Sequence, residues 1–274
     1  VLNISGALAG GQVQVNTGAT LTGSGSIAGP VNIADGAHLA LNSGSKLSVG
    51  SLILNGNSNL DVGLGSPSTG GSALLSVGGN LTLDGNLNVS DIGGFGAGIY
   101  RLIDYTGALT DNGLVIGAVP GSVLPSDLQL QTAIGAQVNL LVGGANGSVL
   151  FWDGSNTVSD GVIQGGSGTW DALSSNWTTV NGTGNRDWSS NFAVFQTPAG
   201  TVTVSGTQVL TGMQFTVDGY VLDGPGALQL VNNSAGNATF RVDPSATATL
   251  NVGLTGSGVL NLSLIHISEP TRQA

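Results

Sequence analysis

The stretch Val31-Asn-Ile-Ala-Asp-Gly-Ala-His-Leu-Ala-Leu41 places two short alternating runs on either side of an Asp-Gly turn. Every second residue in each run is apolar, and this period puts one set of side chains on a single face of a strand. Similar runs recur from Val13 to Val89, separated by turns such as Asn55-Gly56 and Asp84-Gly85. The pattern predicts short strands joined by connections that are too short to contain helices.

The composition supports an all-β chain with many turns. The 274 residues include 47 Gly, only 7% are charged and 40% are hydrophobic. Gly has no three-residue period, which excludes collagen, and the apolar content argues against a disordered acidic chain. Short strands between Gly and Asn turns are typical of a right-handed parallel β-helix, in which coils of about 20 residues stack on one another. We therefore predict this solenoid fold, interrupted by an irregular aromatic-rich segment.

Internal repeats and a change in composition suggest how the chain is organised. The stretch Leu21-Thr-Gly-Ser-Gly-Ser-Ile27 returns as Leu254-Thr-Gly-Ser-Gly-Val-Leu260, and the four Trp residues all lie between positions 152 and 188. The expected order is a β-helix segment over 1–145, a Trp-rich irregular coil or insert over 146–200, and a continuing β-helix segment over 201–261.

Charge and residue content narrow the range of partners. The 15 acidic residues outnumber the 5 basic ones, and the basic residues are scattered singly along the chain. Binding to nucleic acid or to anionic lipid is therefore not expected, and no apolar run approaches the ~20 residues of a membrane-spanning helix. The chain has no Cys, and His38 has no second His or Cys nearby in the sequence, so we expect no metal or cofactor.

The last residues differ from the rest of the chain. The only Glu of the sequence, Glu269, lies in Leu262-Ser-Leu-Ile-His-Ile-Ser-Glu-Pro-Thr-Arg272. This string resembles the translation of a common sequencing adapter. We therefore expect 262–274 to be a non-native tail and 1–261 to be an internal part of a longer protein.

Several ordered motifs resemble one protein family. They include Leu21 to Ile27, Tyr100-Arg-Leu-Ile-Asp-Tyr-Thr-Gly107, Gly168-Thr-Trp-Asp171 and Ala193-Val-Phe195. The chain resembles the passenger region of bacterial autotransporters, and its Trp-rich part resembles the autotransporter-associated β-strand repeat. The resemblance implies export across a Gram-negative envelope and display on the outer-membrane surface or secretion. It also implies a C-terminal translocator barrel as a partner, and the present residues contain no segments of that type.

The resemblance favours a structural and adhesive function without catalysis. The partner would be a glycan or a protein on a host cell or a neighbouring cell. Trp170, Trp177 and Trp188 are the candidate ligand contacts, because aromatic faces stack on sugars and on partner side chains. The alternative is that these residues fill a small local core. Open ring faces would favour ligand contact, and buried rings would favour packing.

Two other functions remain open from the sequence. A carbohydrate-binding or carbohydrate-active β-helix enzyme would need an exposed Asp cluster beside a basic residue, and the nearest groups are Asp153/Asp160, Asp218/Asp223 and Arg186/Asp187. The sequence favours a structural role instead, because Asp153, Asp171 and Asp218 lie in or beside turns, where an Asp caps its own backbone. A pure spacer would show uniformly polar faces and buried Trp residues.

Overall fold

The computed structural model describes residues 1–67, 73–143, 149–189, 192–232 and 237–264. The described residues form two compact units, unit 1 up to residue 143 and unit 2 from residue 149. Nearly all of their regular structure is β-strand, with one 3₁₀ turn at Pro125–Asp127 and no α-helix in the described ranges.

Unit 1 contains sixteen strands among its described residues. Their bounds are β1 (Leu2–Ile4), β2 (Ala7–Leu8), β3 (Val13–Val15), β4 (Thr20–Gly23), β5 (Ser26–Ile33), β6 (His38–Asn42), β7 (Leu47–Leu54), β8 (Asn59–Leu64), β9 (Leu75–Val77), β10 (Leu81–Leu83), β11 (Asn86–Asp91), β12 (Gly98–Tyr105), β13 (Leu109–Asp111), β14 (Val115–Ile116), β15 (Leu128–Gln131) and β16 (Gln137–Val142). Sheet A has the order β1-β4-β6-β8-β11-β14, and the other ten strands form sheet B. The long strands β5 and β7 each pair with two short strands of a neighbouring coil, so sheet B continues around a corner of the solenoid.

Parallel pairing stacks the coils of unit 1 in register. Leu21, Leu39, Leu60 and Leu87 are successive partners in sheet A, and all four are buried. The residues that precede and follow them along the strands are more exposed, which is the alternation expected from the sequence. A single coil cannot bury its inward side chains alone, whereas the stack gathers them into one apolar column.

The coils of unit 1 differ in length. Thr20 pairs with His38, 18 positions later, whereas Asn86 pairs with Val115, 29 positions later. The longer coils carry their extra residues in the connections between strands, so the strand registers are preserved.

Antiparallel pairing closes the C-terminal end of unit 1. Strand β12 pairs with β16 from Gly98 to Asp104, and β16 pairs with β15, in both cases antiparallel. The sequence pattern did not predict this hairpin. It covers an edge of sheet B that would otherwise expose unpaired backbone groups.

Unit 2 contains thirteen strands among its described residues. Their bounds are β17 (Val149–Trp152), β18 (Gly168–Trp170), β19 (Trp177–Thr178), β20 (Phe192–Phe195), β21 (Thr201–Val204), β22 (Thr207–Leu210), β23 (Gly212–Phe215), β24 (Tyr220–Asp223), β25 (Ala227–Leu230), β26 (Ala238–Val242), β27 (Ala248–Leu250), β28 (Gly253–Gly256) and β29 (Leu260–Leu264). Sheet C has the order β19-β17-β20-β23-β26-β29, sheet D the order β18-β21-β24-β27 and sheet E the order β22-β25-β28.

Unit 2 has a separate core and the same stacking principle. Val202, Leu222 and Leu250 are successive partners in sheet D. Phe195 and Phe215 are partners in sheet C, with ring centroids 4.8 Å apart and nearly parallel ring planes. The predicted parallel β-helix fold is confirmed.

The expected segment boundaries remain predictions. Strand β29 extends to Leu264, past the expected start of the tail at residue 262. Residues 265–274, which make up most of the expected tail, lie outside the described residues.

The repeated Leu-x-Gly-x-Gly motif forms a tight corner between sheets. At Gly25 a Cβ atom would overlap the carbonyl oxygen of Gly6 in the preceding coil, and at Gly226 it would overlap that of Gly206. Gly is therefore required where one coil lies directly against the corner of the coil before it.

We expect the variant Gly226→Ala to lower the free energy of unfolding by about 1–3 kcal/mol, because the added methyl group must displace backbone of the preceding coil. Thermal melting followed by circular dichroism measures the change. Gly253→Ala is the matched control in the same unit, because its Cβ would meet only Ala227 Cβ at 3.7 Å. Equal melting temperatures for the two variants would contradict the corner argument.

Candidate functional site

The segment between β18 and β20 crosses the N-terminal ends of the sheets of unit 2. We call its described residues, 171–189, the cap. Within it β19 pairs antiparallel with β17, so that Trp177 lies opposite Trp152 and Thr178 opposite Phe151. The backbone of Arg186 bonds to Trp177 from the other side, at N···O distances of 2.7 and 3.2 Å. The cap therefore covers the outer edge of sheet C.

Two side chains of the cap bond to the edges of the other sheets. Asn176 Nδ2 donates to the carbonyl oxygens of Thr169 in β18, at 2.8 Å, and of Gly154, at 2.9 Å. Trp188 Nε1 donates to the carbonyl oxygen of Val209 in β22, at 2.8 Å. All three sheets of unit 2 thus have a cap residue bonded to their first strand, which satisfies backbone groups that stacking leaves open at this end.

The Trp residues form one packed cluster over the end of the core. The ring centroid of Trp177 lies 5.2 Å from that of Trp152, 4.8 Å from that of Trp170 and 4.4 Å from that of Trp188. Trp170 and Trp177 are 0% exposed, and Trp188 is partly buried. Trp170 and Trp177 therefore present no open ring face in this structure, and the local-packing alternative describes their surroundings. Ligand contact by Trp188 stays a prediction.

Asp153 organises the loop that precedes the cap. Its buried carboxylate accepts hydrogen bonds from Gln164 N at 2.6 Å, Asn185 Nδ2 at 2.8 Å and Asn156 Nδ2 at 3.0 Å. Burial raises the pKa of Asp153 above its ordinary value of 3.8, against the opposing effect of these hydrogen bonds. Asp160 in the same loop accepts from Val162 N and Gln164 Nε2. The hydrogen bonds of Asp153 and Asp160 therefore stabilise the conformation of this loop.

The other Asp groups also bond to nearby backbone or hydroxyl groups. Asp218 accepts from Thr247 N at 2.8 Å, Asp223 from Gly224 N at 2.7 Å and Asp187 from Ser175 Oγ at 2.6 Å. Of these three, Asp223 caps its own turn, as the turn-capping alternative predicts. Asp218 and Asp187 instead join segments that are 29 and 12 positions apart in the sequence.

Tyr220 joins two coils at a corner of unit 2. Its hydroxyl lies 2.7 Å from the carbonyl oxygen of Gln196 and 2.9 Å from that of Pro198, and it accepts from Gly166 N at 3.2 Å. The single hydroxyl proton serves one carbonyl at a time. Burial raises the pKa of Tyr220 well above its ordinary value, so the hydroxyl remains a donor at neutral pH.

The outer face of sheet A carries a polar group that the sequence pattern did not bring together. Asp61 Oδ2 lies 2.6 Å from His38 Nδ1, and Asp61 Oδ1 accepts from Asn88 Nδ2 at 2.8 Å. Asn88 Oδ1 in turn accepts from Ala118 N at 2.9 Å. These hydrogen bonds fix polar side chains of three successive coils, His38, Asp61 and Asn88, relative to one another on the outer face.

Two other kinds of site are absent from the described residues. Among the ranges that the structure describes, no three His, Asp or Glu side chains are grouped closely enough to hold a metal ion. Within the same ranges no helix has both the length and the apolar character needed to cross a membrane.

We expect Asn176→Ala to lower the free energy of unfolding by about 1–3 kcal/mol, because the carbonyls of Thr169 and Gly154 lose a buried donor. Urea denaturation followed by Trp fluorescence measures the change. Leu173→Ala is the control within the cap, because Leu173 is exposed. A loss of the same size in both variants would show that Asn176 has no special role at the edge.

The raised pKa of Asp153 predicts a pH dependence of stability. The folded protein keeps this proton to a higher pH than the unfolded chain, so the contribution is complete below 3.8 and is lost as the pH rises through the raised pKa. The free energy of unfolding of the wild type, minus that of Asp153→Asn, should therefore fall over this window and stay constant above it. Urea titrations from about pH 3 to about pH 7 test this. A difference that rises with pH would contradict the assignment.

The comparisons with known proteins give one relevant match. In an alignment 226 residues long that covers 76% of this chain, the sequence is 41% identical to the adhesin BmaC autotransporter of Brucella suis biovar 1 (strain 1330). The chain spans 6% of the length of that relative. No family model and no solved structure matches the chain. The match and the stacked-coil fold together confirm the resemblance of this chain to the passenger region of an autotransporter adhesin.

Proposed function

We propose that these residues are a surface-exposed adhesive segment of an autotransporter passenger and that they carry no catalytic site. The observation that carries the proposal is the 41% identity to an autotransporter adhesin over 76% of the chain. The whole protein would lie on the outer-membrane surface or outside the cell, and a C-terminal translocator barrel elsewhere in it would be its export partner.

The fold suits adhesion because it holds outward side chains in fixed rows. Thr20, His38, Asn59 and Asn86 are successive register partners on the outer face of sheet A, and each is partly exposed. Neighbouring strands lie about 4.8 Å apart, so the row spacing is set by backbone hydrogen bonds. Side chains that are already ordered lose little conformational freedom when a partner binds, which favours affinity.

The environments of the acidic groups support a function without catalysis. Asp153 is buried and accepts three hydrogen bonds, and Asp187 and Asp218 each bond to a neighbouring loop. General acid–base catalysis needs a carboxyl group within reach of a bound substrate. The contacts of these groups go to the protein itself.

The spacer alternative makes a different prediction for binding. Buried Trp170 and Trp177 fit both a spacer and an adhesive scaffold, so their burial does not separate the two. A direct measurement of adhesion to cells is therefore needed to distinguish the adhesive function from the spacer.

We expect beads coated with the purified chain to adhere to cultured mammalian or bacterial cells several-fold more than albumin-coated beads, and the soluble chain to compete. Leu60→Asp is the structural control, because a charge in the buried column of sheet A should unfold unit 1. Equal adhesion of wild-type, Leu60→Asp and albumin-coated beads would refute the adhesive function and favour the spacer.

A further inference from the structure

Three apolar side chains of unit 2 project into solvent from the cap and the loop before it. Leu173 is 87% exposed, Val158 is 63% exposed and Val162 is 49% exposed. Isolated exposed apolar residues are common on protein surfaces and need no explanation by themselves. These three residues are considered together because the backbone of each makes the same type of local hydrogen bond.

The backbone N–H group of each of the three residues donates a hydrogen bond to a polar side chain two positions earlier in the sequence. Asn156 Oδ1 accepts from Val158 N at 3.0 Å, Asp160 Oδ1 from Val162 N at 3.0 Å and Asp171 Oδ1 from Leu173 N at 2.9 Å. These short-range hydrogen bonds fix the backbone at each loop tip, and the apolar side chain that the backbone carries stays exposed.

The two loops that carry these side chains are tied to the same third segment. Gly161 N donates to the carbonyl oxygen of Gly182 at 3.0 Å, and Asn185 N donates to Ser159 Oγ at 2.8 Å. Ser175 Oγ donates to Asp187 Oδ1 at 2.6 Å. Residues 159–161 therefore lie beside residues 182–185 of the cap, and Ser175, two positions after Leu173, lies beside Asp187.

The charge around the apolar tips is negative. Asp160 and Asp187 are exposed, Asp171 is partly exposed, and Arg186 is the one basic residue of the described loops 153–164 and 171–189. The backbone N–H groups of Leu173 and Ser174 lower the pKa of Asp171, so its charge persists at mildly acid pH. An apolar surface with an acidic surround is complementary to an apolar surface with basic residues at its rim.

We propose that Val158, Val162 and Leu173 form a preorganised contact surface for a partner protein whose matching surface is apolar with a basic rim. The proposal rests on the adhesive function proposed above and names its partner class. A second copy of this chain is disfavoured, because the net charge is -10 and the same acidic loops would face each other. A glycan is disfavoured as the partner of these three side chains, because all three are aliphatic and none offers an aromatic ring face for a sugar.

The chemical test uses a defined probe in place of the unidentified partner. The full chain is passed over a mixed monolayer that carries methyl and quaternary ammonium groups, and the amount retained is measured by surface plasmon resonance. The variant Val158→Ser/Val162→Ser/Leu173→Ser should bind about tenfold more weakly than the wild type. The matched control Ile53→Ser/Val115→Ser/Leu124→Ser removes three exposed apolar side chains of unit 1 and should bind as the wild type does. Equal binding by the two triple variants would overturn the proposal.

Two single variants separate the effect of the charge of Asp171 from the effect of its hydrogen bond to Leu173 N. Asp171→Asn keeps an oxygen acceptor for Leu173 N and loses the charge, so its deficit should disappear at high salt. Asp171→Ala loses both the charge and the oxygen acceptor, so part of its loss of binding to the monolayer should persist at high salt. Leu173→Ser alone tests the surface if the triple variant fails to show the wild-type melting curve. Wild-type binding by Leu173→Ser, or identical salt behaviour of the two Asp171 variants, would contradict the proposed surface.

The bead assay distinguishes this proposal from the adhesive function. If wild-type beads adhere and the triple variant loses adhesion to cells in a protease-sensitive way, both proposals stand. If wild-type and triple-variant beads adhere equally, or if glycosidase treatment of the cells abolishes adhesion, the proposed protein-contact surface is wrong and the adhesive function remains. If wild-type beads do not adhere, the adhesive function fails, and the monolayer result alone decides the surface.

Discussion

Hydrogen bonding between the backbones of successive coils is the interaction on which the whole structure depends. A coil such as the one containing Leu39 has too few apolar residues to form a core, and its inward side chains are buried only because Leu21 lies on one side of Leu39 and Leu60 on the other. Register therefore matters more than the length of any coil, and coils tolerate insertions as long as the strands still meet. The corner glycines serve the same requirement, because at Gly25 and Gly226 any side chain would push the neighbouring coils apart.

A stack of this kind needs protection wherever it ends. The end strand of each sheet has backbone donors and acceptors without a neighbouring coil, and exposed edges of this kind favour unwanted strand pairing. In unit 1 the antiparallel hairpin of β15 and β16 covers one edge of sheet B, and in unit 2 the cap covers the N-terminal edges of the three sheets. The concentration of Trp in unit 2 follows from the same need. The end of an apolar column requires large side chains to cover it, and an indole such as that of Trp188 can also donate a hydrogen bond to an edge carbonyl.

The sequence was informative where a local rule determines structure. The alternation in Val31–Leu41 identified inward and outward residues, and the Gly-containing turns identified the corners. It was less informative wherever contacts depend on register across coils. His38 and Asp61 are 23 positions apart, and their hydrogen bond depends on the length of the intervening coil, which no period reveals. The sequence showed that the four Trp residues are concentrated between positions 152 and 188, but their burial is determined by the cap, whose position over the apolar column the sequence does not reveal. Antiparallel pairing at β16 and β19 carries no signature in runs this short.

In unit 2 the strands and the connections have different structural roles. The inward side chains of the strands pack in the core and the outward ones form regular rows, so the strands cannot create an irregular surface. The connections are free of that constraint, and they are where long polar networks such as that of Asp153 occur. The loop tips of unit 2 owe part of their backbone conformation to local hydrogen bonds of this kind, because side-chain oxygens of Asn156, Asp160 and Asp171 accept from backbone N–H groups two positions later.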